Sequence, residues 1–293
     1  MDSSTVFDRP TVRRRRDRAA ESFADYAFLF QETGRRLAER LSETTRLFPI
    51  ALDLGCHDGL MAGLIRGQNG VETVIGCDLS PAMARQAAKN GAVALAADEE
   101  ALPFAPKSVD LVVANLSLHW VNDLPGTLLQ IRHVLKEDGL FLASLPGLGT
   151  LDELRGCLME AESIEEGGVS PRISPFADIQ TMGRLLQRAG FALPVVDADT
   201  ITVTYADPIR LLADLRGMGE TNSVAVRRKT CTRKATLARA LSLYQQRFAG
   251  PDGRIRASVQ ILTLTAWRPH ASQPKPLSPG SGKIDLGTAL DGA

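Results

Sequence analysis

The chain has 293 residues, and its 34 lysines and arginines balance its 34 aspartates and glutamates, so the formal net charge is zero. A neutral chain gives no indication of nucleic-acid binding, and no apolar run approaches the ~18 residues that a membrane-spanning helix needs. The first residues lack the apolar segment of a secretory signal, and the four cysteines form no CxxC pair, which is typical of a reducing compartment. We therefore expect a cytoplasmic protein of one or two domains.

Two helices are predicted before the first strand, over residues 7–20 and 22–43. Apolar residues of the second helix recur on one broad face. The basic run Arg13 to Arg16 is surrounded by acidic residues, and we interpret it as a solvated helix face rather than a transit peptide. Residues 1–45 are predicted to form a helical lid on the substrate side of the following domain, with plain packing against its sheet as the alternative.

Strands and helices then alternate, which is typical of a parallel sheet covered by helices on both faces. After Pro146 the alternation breaks, and helical segments at about 150–190 and 207–250 are predicted as an insertion. The last two strands are expected to form an antiparallel edge. The predicted fold class is α/β, with a mostly parallel sheet over 46–268 and a disordered tail over 269–293. The predicted strands are 50–54, 72–77, 92–97, 109–114, 140–145, 193–204 and 255–267, with helices at 59–67 and 123–136 among those between them.

The first strand leads into a glycine turn, in the segment IALDLGCHDG that runs from Ile50 to Gly59. The strand ends near Asp53, and Gly55 and Gly59 bracket the turn, so backbone N–H groups at the next helix can face a ligand. Asp78 ends the second strand nineteen positions after Gly59. This matches the offset of about 20 residues expected for a carboxylate that binds ribose hydroxyls. The alternative is a helix cap, because Ser80 and a following proline open the next helix.

The spacing Asp53-x-Gly55-x-x-x-Gly59 differs from the G-x-G-x-x-G pattern of pyrophosphate sites. An acidic side chain beside the turn suits a cationic ligand and opposes a phosphate. The segment resembles motif I of class I S-adenosylmethionine (SAM) methyltransferases, whose cofactor S-adenosyl-L-methionine carries an ammonium and a sulfonium. We therefore predict a class I SAM-dependent methyltransferase (Rossmann-like) fold, with SAM as cofactor and Asp53, Gly55, Gly59 and Asp78 in its binding site.

Asp98 and Glu99 leave the third strand and resemble the acidic motif that holds the adenine amino group. The alternative is a pair of solvated loop acids. Leu79 and Leu102 are candidates to enclose the adenine ring, and they are equally suited to the core.

The turn after the fourth strand lies at the carboxyl edge of the sheet, where open α/β sheets bind ligands. Asn115 and Ser117 are weaker candidates for contact with the methionine end of the cofactor. His119 is a candidate general base, because its ordinary pKa lies near neutrality. The alternative is that His119 and Trp120 cap the strand. Methyl transfer from a sulfonium depends mainly on alignment, so no catalytic base is required.

His57 stands where motif I usually has a glycine. A positive φ at this residue would cost about 1 kcal/mol. The imidazole is expected either to weaken SAM binding or to point away from the cofactor. The pair Cys56-His57 does not have metal-site spacing, and with four histidines in the chain we predict no metal centre.

Several longer segments of the chain are distinctive. They are FDR at 7–9, FPIALDLGC at 48–56, ADEEALPF at 97–104, VDLVV at 109–113, LSLHWVNDLP at 116–125, TLDELR at 150–155, EEGGVSPRISPF at 165–176, LLQRAGF at 185–191 and LRGMGETN at 215–222. Together they resemble the mitochondrial complex I assembly factor 5 family. The core motifs among them also occur in the related biotin-pathway malonyl-carrier-protein methyltransferase, whereas LHWVNDLP, SPRISPF and GMGETN are more specific. Gly149 departs from the pattern, because an aspartate is expected before Thr150.

The resemblance implies a methyltransferase fold that binds SAM. Mitochondrial members of the family are linked to hydroxylation of an arginine in the quinone-proximal iron–sulfur subunit of respiratory complex I. By resemblance, we therefore expect a protein substrate and a complex I iron–sulfur subunit as partner. One alternative is SAM-dependent O-methylation of a small or carrier-bound carboxylate such as malonyl-carrier protein. Another alternative is a SAM-binding assembly chaperone without turnover.

Overall fold

The central sheet is built from seven strands. The structure is a computed structural model, which describes residues 5–274 and residue 281. The strands are β1 (Ile50–Leu54), β2 (Thr73–Asp78), β3 (Val93–Ala96), β4 (Val109–Asn115), β5 (Leu135–Pro146), β6 (Ala192–Tyr205) and β7 (Ile255–Trp267). Their order in the sheet is β3-β2-β1-β4-β5-β7-β6. This order places the carboxyl ends of β1, β2 and β4 side by side, on the edge where the glycine turn lies.

The strand directions confirm the predicted sheet. Strands β1 to β5 pair in parallel, whereas β7 runs antiparallel to both β5 and β6. Side chains alternate between the two faces of β1, so that Leu52 and Leu54 enter one apolar core and Ala51 enters the other. Burial on both faces explains why β1 is almost continuously apolar.

Helices cover both faces of this sheet. The predicted cap is confirmed, because the hydroxyl of Ser80 accepts a hydrogen bond from the backbone N–H of Met83. The helices are α1 (Arg9–Ala19), α2 (Phe23–Tyr26), α3 (Phe28–Ser42), α4 (Leu60–Ile65), α5 (Pro81–Lys89), α6 (Leu124–Val134), α7 (Asp152–Glu166), α8 (Ile179–Arg188), α9 (Pro208–Gly217) and α10 (Lys234–Phe248).

Two predicted boundaries are wrong. The helix predicted over 22–43 is divided into α2 and α3 at Ala27, whose ψ of 9° departs from helical geometry. The helix predicted over 123–136 ends at Val134, because Leu135 already pairs with Val109 of β4. In both cases a tertiary contact or a local backbone angle overrides a helical pattern that looks continuous in sequence.

Parts of the N-terminal helices and of the insertion lie at the carboxyl edge of the sheet. Phe23 and Phe30 share an apolar cluster with Leu116 from the turn after β4 and with Met218 after α9. A separate cluster joins α7, α9 and α10 to β6 and β7. The rest of α3 packs on one face of the sheet and α8 packs on the other, so the alternative of plain packing describes that part of α3.

The chain continues past β7 along the opposite edge of the sheet. The side chain of Gln273 donates a hydrogen bond of 2.8 Å to Asp138. The remainder of the tail predicted to be disordered lies outside the described residues, apart from Ser281. Across the residues that the structure describes, none of the helices has both the length and the apolar character needed to cross a membrane.

Candidate cofactor site

The turn after β1 requires glycine at two positions. Gly55 and Gly59 have φ values of +72° and +85°, in the left-handed region. A Cβ added to Gly55 would lie 2.1 Å from the Cβ of Ser117, and one added to Gly59 would lie 2.9 Å from the Cα of Ala87. The turn is therefore held against both β4 and α5, and the prediction of a tight glycine turn is confirmed.

Asp53 lies beneath this turn and is almost completely buried. Neither of its carboxylate oxygens has a hydrogen-bond partner among the described residues. Burial raises the pKa of Asp53 well above its ordinary value, and the neighbouring charges of Asp78 and Asp58 raise it further. A buried carboxyl without a partner is costly, and a cationic donor would satisfy it.

His57 adopts the left-handed backbone conformation, with a φ of +48°. Its imidazole stacks on the ring of Phe23 at 5.2 Å and meets Phe30 edge-on at 4.7 Å. The ring is buried, and neither of its nitrogens has a partner in the described part of the chain. Burial, assisted by the charge of Arg16, lowers the pKa of His57 to about 3. The ring therefore packs as a neutral aromatic group against the N-terminal helices.

Asp78 ends β2 and faces the glycine turn, as predicted. Its carboxylate accepts hydrogen bonds from the backbone N–H of His57 at 3.1 Å and of Ser80 at 2.7 Å. The side chain is fully buried. Asp78 thus links the turn after β1 to the start of α5. Both hypotheses for Asp78, a carboxylate that binds the ligand and a cap of the helix, are compatible with this geometry.

Arg16 corrects the interpretation of the basic run as a solvated helix face. Its guanidinium is fully buried, and Nη1 lies 3.4 Å from both oxygens of Asp78 and 3.0 Å from Oε1 of Glu99. The reason is helical periodicity, because Val12, Arg16 and Ala19 fall on the same buried face of α1. That spacing was present in the sequence and could have identified Arg16.

Arg9 supplies a second cation from the start of α1. Its Nη2 donates to Asp98 at 2.5 Å and also to Glu99. Burial acts to raise the pKa of Glu99, but the charges of Arg16 and Arg9 outweigh it and lower that pKa overall. Glu99 is therefore buried and paired, whereas Asp98 is paired but keeps 35% of its side chain exposed. Together with Asp78 they form an acidic group that two arginines of one helix contact.

The side chains of the turn after β4 are largely engaged within the protein. Asn115 accepts from Thr33 and Ser144, each at 2.7 Å, and donates to the carbonyl of Phe30 at 2.9 Å. Ser117 donates to the carbonyl of Leu54 at 2.7 Å. Contact of these two residues with the cofactor stays a prediction.

The two leucines predicted beside the adenine lie in apolar surroundings. Leu79 packs beside a small cluster that contains Phe7 and Trp120. Leu102 packs against the main core. Leu79, which directly follows Asp78 in the chain, therefore lies beside the acidic group.

His119 contacts Glu220, which was not predicted as a site residue from the sequence. Its Nε2 lies 2.8 Å from Oε2 of Glu220, which also accepts from the indole N–H of Trp120 at 2.9 Å. Burial acts to raise the pKa of Glu220, but His119 and Arg16 outweigh it and lower that pKa. Oε1 of Glu220 has no partner among the residues described. The signal was available, because Glu220 lies in the specific segment GMGETN.

A cavity of about 690 Å³ opens beside this group, between the N-terminal helices and the insertion. Apolar side chains form much of its wall. Arg15 of α1 also lines it, next to Arg16 in sequence but directed to a different site. Its wall includes Phe28, Leu29, Leu116, His119, Trp120, Pro146, Leu151, Leu154, Phe176, Tyr205, Leu211, Met218 and Glu220.

The residues of the glycine turn fit the cofactor that the sequence predicts. The unpartnered Asp53 suits a cationic group, and the absence of a side chain at Gly55 lets Ser117 pack against the turn. Asp78 and Glu99 offer acceptors for hydroxyl and amino groups, although Arg16 now contacts both. Within residues 5–274 and 281, no group of three or more His, Cys, Asp or Glu side chains is arranged to hold a metal ion.

Comparison with solved structures supports the fold. The chain superposes on the YcgJ protein of Bacillus subtilis with a TM-score of 0.56 at 14% identity, covering 80% of this chain and 99% of that one. It also superposes on a Haemonchus contortus phosphoethanolamine N-methyltransferase 2 solved with phosphomonomethylethanolamine and S-adenosylhomocysteine. That TM-score is 0.55 at 17% identity, covering 88% of this chain and 60% of the other. The class I SAM-dependent methyltransferase fold is therefore confirmed.

Sequence relatives define the family more closely. Residues 52–143 match the methyltransferase domain family. The arginine-hydroxylase NDUFAF5, mitochondrial, of Danio rerio is 40% identical over 96% of this chain and 88% of its own length; that of Homo sapiens is 40% identical over 96% and 82%. The malonyl-[acyl-carrier protein] O-methyltransferase of Halorhodospira halophila is 33% identical over 95% and 94%. The chain therefore belongs to the family of methyltransferase-fold proteins that contains the arginine-hydroxylase NDUFAF5.

Proposed function

We propose that this protein binds SAM at the glycine turn and acts on an arginine side chain of a protein substrate, with an iron–sulfur subunit of respiratory complex I as the partner. Relatives that are named for arginine hydroxylation share 40% identity over nearly the whole chain, against 33% for the malonyl-carrier methyltransferase. The higher overall identity to the first group favours an arginine side chain as the target.

The cofactor would be held by the chain's own acids and glycines. Asp53 would face its cationic end, Asp78 its ribose hydroxyls, and Asp98 with Glu99 its adenine. When bound, SAM supplies a methyl group on a positively charged sulfur. His119 and Glu220 then lie at the boundary between this site and the cavity, where a substrate side chain would enter.

Glu220 is the observation that carries the choice of substrate. It is the one acidic residue among those that line the cavity, and its oxygen Oε1 has no partner in the described residues. The wall also carries basic side chains, namely Arg15, Arg172, Arg216, Arg227, Arg228 and Lys229. A guanidinium N–H donates a strong, charge-assisted hydrogen bond to a carboxylate oxygen. Oε2 of Glu220 is already engaged by His119 and Trp120, so the free acceptor is Oε1. An arginine side chain that enters the cavity would satisfy this oxygen.

The cofactor assignment is tested by calorimetric titration with SAM and S-adenosylhomocysteine. We expect micromolar binding by the wild type and at least about tenfold weaker binding by Asp78→Asn, which loses the charge but keeps an acceptor oxygen. Asp252→Asn, the same change in the exposed loop before β7, is the matched control. Equal affinity of the wild type and Asp78→Asn would refute the role of Asp78.

The substrate assignment is tested by incubating the protein with SAM and the iron–sulfur subunit, followed by mass spectrometry. We expect an arginine to gain the mass of a methylene group, transferred from SAM, or the mass of an oxygen atom when dioxygen and a two-electron reductant are also supplied. The two masses separate methylation from hydroxylation. Glu220→Gln is expected to bind SAM and to lose the modification. An unmodified subunit with the wild-type protein would contradict the proposal.

A second candidate function, O-methylation of an acidic acyl substrate, is favoured by Arg15. This half-buried guanidinium lines the cavity, and no described carboxylate lies within ion-pair distance of it. Burial lowers its pKa to about 10, and the charges of Arg227 and Arg18 add to the effect. A carboxylate ligand would compensate this charge. Methyl transfer to a malonyl thioester, lost in Arg15→Gln, would establish this function instead.

A further inference from the structure

Helix α1 places an arginine where a nucleoside would bind. Nη1 of Arg16 lies within 3.4 Å of both oxygens of Asp78 and 3.0 Å from Glu99. A pair of ribose hydroxyls that bound Asp78 would need the position of this nitrogen. Arg16 and such a ligand therefore exclude each other.

The ion pairs of Arg16 are incomplete for a buried guanidinium. Its Nε and Nη2 have no hydrogen-bond partner among the described residues, although the side chain is fully buried. Unsatisfied buried donors are costly, typically about 1–3 kcal/mol each. Arg16 is thus held by the acids of the site at a cost, and a ligand that satisfies those acids would compete with it.

Arg9 pairs with the acids on the far side of the site, as Arg16 does on the near side. It donates to Asp98, to Glu99 and, at 3.3 Å, to the carbonyl of Trp120. The two arginines are seven positions apart, so they project from the same side of α1. One movement of the helix would release all three acids at once.

The helix is held by polar contacts at its ends and by two small apolar clusters. Asp8 pairs with Arg227 at 3.0 Å, and the hydroxyl of Ser80 donates to Asp17 at 2.6 Å. The first cluster contains Val12 and the second contains Ala19. Both clusters are separate from the two large clusters of the sheet, so α1 is suited to move while the sheet stays folded.

We propose that α1 is a lid that holds the cofactor site closed through Arg16, and that SAM binds only after Arg16 has left Asp78 and Glu99. This inference rests on the proposed cofactor. The apparent affinity for a ligand falls in proportion to the fraction of molecules in the competent state. Removing Arg16 should therefore tighten SAM binding, which is the reverse of what a ligand-binding residue would show.

The first test compares calorimetric titrations of the wild type, Arg16→Ala and Arg18→Ala with SAM. Arg18 is exposed on the same helix, so it provides the same substitution outside the site. We expect Arg16→Ala to bind SAM about tenfold more tightly than the wild type, and Arg18→Ala to match the wild type.

The second test follows the lid directly and does not depend on folding of the Arg16 variant. Trp120 packs edge-on against Phe7 at 5.4 Å, beside α1, whereas the other tryptophan, Trp267, lies near Phe48 at the end of β7. In a Trp267→Phe protein, emission therefore reports on Trp120 alone. We expect SAM to shift this emission to longer wavelength, because opening of α1 removes Phe7 from the indole and exposes it to water.

The outcomes separate the two proposals. Tighter binding by Arg16→Ala and a shift of the Trp120 emission support the lid. Unchanged or weaker binding by a folded Arg16→Ala, or an unshifted Trp120 emission at saturating SAM, would overturn the lid and leave the cofactor assignment intact. No binding of SAM by any of these proteins would overturn the cofactor assignment, and the lid with it.

Discussion

The burial of His57 predicts how the stability of the protein depends on pH, because a neutral imidazole is enclosed by Phe23 and Phe30. Replacement by phenylalanine preserves an aromatic ring at this position and removes the titratable group. The positive φ is kept in both proteins, so backbone strain cancels in the comparison. We expect His57→Phe to lose a pH dependence of stability that the wild type possesses.

The size and sign of this effect follow from the pKa of the folded protein. Burial lowers the pKa of His57 to about 3, from an ordinary value of 6.5. Below pH 6.5 the unfolded chain therefore binds a proton that the folded chain cannot bind, so stability falls as pH decreases towards 3. Between pH 7.5 and pH 5.5 this one group should reduce the free energy of unfolding by about 1.4 kcal/mol.

The assay is urea unfolding followed by circular dichroism at both pH values. The difference in free energy of unfolding between the wild type and His57→Phe is the quantity to compare, because other titrating groups contribute equally to both proteins. His133→Gln, a replacement at an exposed histidine of α6, is the control. If the difference between wild type and His57→Phe is the same at both pH values, the imidazole is not buried in its neutral form and the reasoning is wrong.

Three further predictions concern other parts of the fold. Gly55→Ala should lower the melting temperature by several degrees, because its Cβ would lie 2.1 Å from Ser117; Gly63→Ala, which meets nothing within 4 Å, should not. A native thiol titration should modify Cys231 rapidly and the three buried cysteines only after denaturation; more than one fast thiol would contradict the burial. The pKa of Glu162 is lowered to about 2, since hydrogen bonds from its arginine partner outweigh burial. Glu162→Gln should therefore destabilise the protein at pH 7 and less so at pH 3, measured by thermal unfolding.

The predictions that proved correct rest on local signals. Alternation of strands and helices predicted the sheet, and β1 and β7 have the predicted bounds. Glycines at positions 55 and 59 identified the turn, and Ser80 identified the start of α5. Each of these features is decided by a few consecutive residues, through backbone freedom, capping or side-chain period.

The features that were missed depend on residues distant in sequence. The solvated face expected for Arg13 to Arg16 ignored the period that buries Arg16. Its partners Asp78 and Glu99 lie 62 and 83 positions away, and Glu220 lies 101 positions from His119. No local sequence pattern predicts which acidic residues will pair with a buried arginine.

The sequence by itself determined the class of fold, the family and the positions of the glycines and acids at the carboxyl edge of the sheet. These follow from periodicity and from motifs that are short and continuous. Only the tertiary structure decided that helix α1 lies over those acids, that its two arginines pair with them, and that a cavity forms between the N-terminal helices and the insertion. The physical reason is that burial of charge depends on which elements pack together, and that packing is a property of the whole chain.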